Sequence, residues 1–202
     1  MDPRSRLLAR IAGVAAAAHA LAFLALHFLE PELRVSSSII SDYGATDSAW
    51  LATLAFLLFG AVWAALAFAL SGSVASSRAL SAARGLFLLA AVSIFATAVF
   101  PEHADPRTGS LFSTVQNILT RPGLFLGILL TSLGLRSEPR WREVGLVLVL
   151  ISTACIIVLL ATVGLLLEAG LGGYGQRLIF VLVYLWVFLL TRPMMGVWPS
   201  LG

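Results

Sequence analysis

Long apolar runs separated by short polar joints dominate the pattern of this chain. Six stretches each carry at most one charged residue: Leu7 to Leu29, Ala49 to Leu70, Leu80 to Phe100, Leu111 to Leu135, Val144 to Leu167 and Gly172 to Thr191. About 20 apolar residues of helix cross the hydrocarbon core of a bilayer. Lipid offers nothing to free backbone groups, and the runs are far longer than the alternating strands of a barrel, so each predicts a transmembrane helix. The joints are too short to hold a soluble domain. The expectation is an all-α integral membrane protein, one six-helix bundle over residues 1–202.

Composition agrees with the pattern. Of 202 residues, 59% are hydrophobic and 11% are charged, and the mean hydropathy is +0.98, outside the range of soluble globular domains. A net charge of +3 does not point to nucleic acid, because no basic helix or Arg cluster with interleaved aromatics tracks a phosphate backbone. The arginines mark orientation instead. Arg4, Arg6 and Arg10 open the first run, Arg78 and Arg84 flank the second joint, Arg136, Arg140 and Arg142 fill the fourth, and Arg192 follows the last run. The odd-numbered joints hold Glu30, Glu32, Asp42, Asp47, Glu102, Asp105 and Glu168, with Arg34 and Arg107 as their bases. Arginine in short loops is retained on the cytoplasmic side, so both termini are expected there and the odd joints outside, in the cell membrane. Ala18-His19-Ala20 resembles a signal-peptidase site. The apolar stretch runs on through Leu29, and losing one helix would spoil the charge alternation, so a retained helix is the better reading.

All thirteen basic residues are Arg and none is Lys, which removes Schiff-base and Ser-Lys chemistry. Cys155 is the single cysteine, so no internal disulfide and no thiolate metal site is available. The sequence contains no GxSxG elbow, nucleotide loop, HExxH or CxxC. No cofactor is expected. Trp50 and Trp141 fit the interfacial aromatic belts, whereas Trp63 and Trp186 lie deeper and read as packing.

Polar groups inside a bilayer are costly, and here they gather toward the outer half, the inner halves being nearly all apolar. His19, His27 and Glu30 form one stripe of the first helix that should face the bundle. In the first loop, Thr46 or Asp47 is a natural N-cap for the second helix, while Ser41-Asp42-Tyr43-Gly44 can dip into the bundle and present Asp42 and Tyr43. The second outer loop brings Glu102, His103 and Asp105 together; with His27 and Glu30 they are candidates for a divalent cation, with a solvated acidic loop as the default reading. In the fourth helix, Ser113, Gln116, Asn117, Thr120 and Arg121 line one side. Arg121 lies deep and needs a carboxylate, water or the carbonyl freed by Pro122, and Asp42 is its expected partner ahead of Glu168. Gln176 and Arg177 stand on the first turns of the sixth helix, where the dipole favours an anion. Capping, with Arg177 bonded to Glu168, is the structural alternative.

Ser41-Asp42-Tyr43-Gly44, Phe100-Pro101 with Asp105, and Gly173-Tyr174-Gly175-Gln176-Arg177 together resemble the domain-of-unknown-function family 998, multi-pass proteins of bacteria and archaea. The similarity extends in order and spacing over nearly the whole chain. It implies a six-helix fold and brings no established activity. The family pattern includes a His early in the fourth helix, where this chain offers Gln116 or Asn117, so no shared metal or acid-base role carries over.

Two functions follow as expectations. The first is an enzyme or binding protein acting on a lipid-like amphiphile at an outer polar cavity. Its ligand would be held by Tyr43, Gln116, Asn117, Arg121, Gln176 and Arg177, with Asp42, His103, Asp105 and Glu168 as acid-base candidates. The second is an accessory or scaffold subunit whose polar residues only join helices and whose partners are other membrane subunits. A continuous polar path for ion transport is missing from the inner half.

Overall fold

The computed structural model describes residues 2–72, 77–99 and 121–197, apart from the side chain of Arg121. Among these residues the chain is all helix and turn, with no strand. The helices are α1 Pro3–Leu29, α2 Ala49–Ser71, α3 Arg78–Val99, α4 Arg121–Arg136, α5 Arg142–Ala161 and α6 Gly172–Met194. Short 3₁₀ turns at Ile40–Ala45 and Pro139–Trp141 break the first and fourth joints. Five helical stretches are long and apolar enough to cross a membrane, and Pro122–Arg136 is a shorter apolar one. The protein is thus a multi-pass membrane protein. The beginning of the fourth apolar run lies outside the described residues.

Helix ends depart from the apolar runs where local hydrogen bonding overrides hydropathy. α1 starts before its run because Asp2 is a complete N-cap: its carboxylate accepts from Ser5 N and Ser5 Oγ, each at 2.8 Å, and Pro3 follows at N1, where no N–H is needed. α6 carries on through Arg192 and Pro193 to Met194. α5 is prolonged by a π turn at Thr162–Leu166, after which the chain reverses at Gly170 with φ 70°, a conformation that favours glycine.

Each helix packs against the next in sequence, and α6 returns to α1, closing a ring. Trp63, Phe87 and Trp186 fill its centre, Trp63 standing 5.1 Å from Phe87 and 6.3 Å from Trp186 between ring centroids. Trp186 does more than pack. Its Nε1 donates to Ser132 Oγ at 2.9 Å, and Ser132 bonds Ser152 Oγ at 2.8 Å, so a buried polar cluster ties α4, α5 and α6 in the half expected to be apolar. Small hydroxyls are hard to see in a hydropathy profile, yet between membrane helices they are effective joints. Trp141 also departs from expectation: it is buried at 4% exposure rather than set in an aromatic belt. Trp50 is exposed, as a belt residue should be.

Candidate functional site at the first-loop end of the bundle

The glycines of the sixth helix create the site by letting backbones touch. A Cβ on Gly173 would lie 2.5 Å from the Val35 carbonyl oxygen and 2.7 Å from that of Ser36, and one on Gly175 would collide with Thr162 of the π turn. Without these side chains, the first turn of α6 wedges between the first loop and the end of α5. Tyr174 N donates to Ser36 O at 3.3 Å. This brings Gln176 and Arg177 directly beneath the loop. Gln176 Oε1 accepts from Ile40 N at 2.8 Å.

Arg177 is the hub. Its Nε donates to His27 Nε2 at 2.8 Å, Nη1 donates to the carbonyls of Ser38 and Gly173 at 2.9 Å each, and Nη2 donates to the Tyr43 hydroxyl at 3.3 Å. His27 Nδ1 lies 2.7 Å from Phe23 O. A carbonyl only accepts and a guanidinium only donates, so Nδ1 carries the proton and Nε2 is the acceptor. Both nitrogens of His27 are therefore engaged. Tyr43, wholly buried, reaches this position because the 3₁₀ turn folds it inward against Phe23 and His27, with centroids at 5.7 and 5.5 Å.

Among the described residues, every hydrogen-bond partner of the half-buried Arg177 is neutral. The two nearby acids are committed elsewhere. Asp42 Oδ2 accepts from Ile39 N at 2.8 Å, capping the 3₁₀ turn. Glu30 Oε1 accepts from Ser48 N at 2.8 Å, and hydrogen bonding from Ser48 holds its carboxyl at about 2, below the ordinary 4.5. Among the described residues, the hub thus keeps a positive charge that no carboxylate cancels. Deeper along the α1–α6 seam, His19 Nδ1 and the Tyr184 hydroxyl are 2.8 Å apart. His19 is buried and stacks on Phe59 at 4.8 Å, a satisfied histidine in an aromatic shell.

Set against the sequence-based expectations, the stripe of His19, His27 and Glu30 faces the bundle, and Tyr43, Gln176 and Arg177 come together. Asp42 does not join them. Thr46 and Asp47 do not cap α2: Ser48 occupies the N-cap position without a side-chain bond, its N–H goes to Glu30, and Thr46 Oγ1 donates to Tyr43 O at 2.9 Å. Arg177 is not bonded to Glu168, which is exposed in the turn after α5. Gln176 accepts from the loop backbone through Oε1. His103, Asp105, Gln116, Asn117 and the Arg121 side chain lie outside the described residues. Among the described residues no three His, Cys, Asp or Glu gather as metal ligands; His27 has no free nitrogen, and Glu30 is turned to Ser48. Sequence reasoning missed Tyr184, although Arg177, Phe180 and Tyr184 recur at three and four residues, a spacing that puts them on one face of α6. The carbonyls of Ser38 and Gly173 leave no trace in side-chain patterns.

Searches of curated proteins and of solved structures give no match to this chain. The family model described as "Protein of unknown function (DUF998)" does match, over residues 13–193. That range takes in the first-loop motif, the Gly-rich opening of α6 and all of the hub, and the chain belongs to this family.

Proposed function

We propose that this protein crosses the cell membrane six times with both termini in the cytoplasm, and that it binds a lipid-like amphiphile through an anionic head at its outer end. The supporting observation is the uncancelled charge of Arg177, half-buried among His27, Tyr43 and loop carbonyls. A guanidinium keeps its proton in such surroundings, and a low-dielectric site makes an unopposed cation attractive to phosphate or carboxylate. Nη2 keeps one N–H without a partner among the described residues. Gln116, Asn117 and Arg121 of the fourth apolar run are the further ligand contacts in this reading, with Asp42, His103, Asp105 and Glu168 remaining its acid-base candidates.

Purified protein in a neutral detergent should carry co-extracted anionic amphiphile, and Arg177→Gln should retain several-fold less of it by mass spectrometry. Equal retention by a well-folded Arg177→Gln protein would refute the reading. The second reading, a non-catalytic accessory or scaffold subunit, draws on the way Arg177 joins α1, α6 and the first loop through hydrogen bonds. It predicts loss of stability in Arg177→Gln with no change in bound amphiphile. Orientation is tested separately in a Cys155→Ser background. A Cys replacing Ser41 should be labelled from outside intact cells and one replacing Ser137 should not; the reverse pattern would invert the topology.

A further inference from the structure

At the opposite end of the bundle, Leu133, Arg136, Ser137, Pro139 and Arg142 line an open groove of about 620 Å³. The joint that forms it is rigidly built. α4 ends at Arg136, the 3₁₀ turn Pro139–Trp141 follows, and the Trp141 ring is buried beneath the turn. Gly145 of α5 packs on the backbone of Arg136, where a Cβ would lie 2.6 Å from Arg136 N. The two guanidinium groups are thus brought to one groove by a fixed joint, both exposed. Neither Arg136 nor Arg142 makes a side-chain hydrogen bond or ion pair with the described residues, and neither Glu138 nor Glu143 lines the groove.

We infer that this groove holds the headgroup phosphate of an anionic phospholipid between Arg136 and Arg142. Two forked donor sets without internal acceptors match phosphate oxygens. A lipid, rather than a free phosphate, is indicated by what adjoins them: Leu133 in the groove wall and Leu126, seven residues earlier on the same face of α4, are both exposed, giving an acyl chain an apolar track away from the charged pair. The site is separate from the Arg177 hub and does not depend on it.

The test uses the full chain in neutral detergent, with phosphatidylglycerol or phosphatidylcholine added and bound lipid counted by native mass spectrometry. Beside any amphiphile held at the Arg177 hub, wild type should bind one further phosphatidylglycerol in preference to phosphatidylcholine. Arg136→Gln combined with Arg142→Gln should weaken that event roughly twenty-five-fold, about a factor of five for each arginine at an anionic surface. Arg136→Lys with Arg142→Lys should retain part of the preference through charge alone, and Arg177→Gln should leave this event in place even if the hub reading fails. The positions are exposed, so a monodisperse elution profile is expected for each variant. Equal affinity for both lipids, wild-type binding by the double Gln variant, loss in the double Lys variant matching that in the double Gln variant, or displacement by inorganic phosphate as effective as by lipid would each overturn the inference.

Discussion

Arg177 and the pair Arg136 and Arg142 occupy opposite ends of one bundle and use the same guanidinium fork differently. Around Arg177 the chain supplies a ring nitrogen, two carbonyls and a phenol, so the side chain joins α1, α6 and the first loop. Around Arg136 and Arg142 it supplies no acceptor among the described residues and leaves a groove. Burial accounts for the contrast. A half-buried cation must have its donors met, because unmet donors away from water are expensive, whereas an exposed one loses little by waiting for an outside partner. The two ends also differ in what sets their shape: interlocking backbones at Gly173 and Gly175, against one close approach at Gly145.

The sharpest way to break this comparison is to pry apart the backbones at the first-loop end. Gly173→Val should lower stability by about 3 kcal/mol, the upper end of the usual overpacking penalty, since its neighbours are carbonyl oxygens that cannot rotate away. Gly85→Ala, where a Cβ meets nothing within 4 Å, should instead stabilise α3 by up to about 1 kcal/mol. Unfolding in mixed micelles measures both, and a harmless Gly173→Val would mean that the loop is not wedged.

Next in size is the hub itself. Arg177→Met should cost about 2 to 3 kcal/mol by leaving His27, Tyr43 and Ser38 O without their donor, while Arg136→Gln should stay within about 0.5 kcal/mol. Similar losses at the two ends would erase the distinction drawn here.

Much of the fold was legible because hydropathy acts residue by residue: five runs became helices long enough to span, with ends shifted by only a few residues where a cap or a proline intervened, as at Asp2-Pro3. Legibility fell wherever two distant backbones meet. Ser41-Asp42-Tyr43-Gly44 reads as a segment that dips, yet nothing local says that Asp42 turns back to Ile39 N while Tyr43 goes inward. Arg177 stands out by its place at a helix start, but its loop partners Ser38 and Tyr43 lie some 140 residues earlier in the chain. Helical phase groups Glu30 with the histidines, although its partner is the start of α2.

The Ser132 cluster is a smaller lever and asks whether polar joints away from the hub matter. Ser132→Ala should cost about 1 to 2 kcal/mol, because Trp186 Nε1 and Ser152 Oγ both lose a buried partner. Blue-shifted tryptophan emission with unchanged stability would contradict this.

The smallest expected effect is the pH dependence of the Glu30 cap. Its folded-state value of about 2 lies below the ordinary 4.5, so the bonded carboxylate contributes stability that is fully present above about 4.5 and disappears as pH falls through about 2. The stability gap between wild type and Glu30→Gln should therefore be constant near neutral pH and close on acidification. A gap that widened in acid would have the wrong sign for this cap.

The central claim, that Arg177 is an uncancelled cation serving an anionic head, is tested most directly with the other end silenced. In an Arg136→Gln, Arg142→Gln background, the melting temperature is measured with a single-chain anionic amphiphile and with its zwitterionic counterpart, with and without Arg177→Gln. The account predicts stabilisation by the anionic compound alone when Arg177 is present, and none when it is replaced. Equal stabilisation by both compounds, or stabilisation that survives Arg177→Gln, would contradict it.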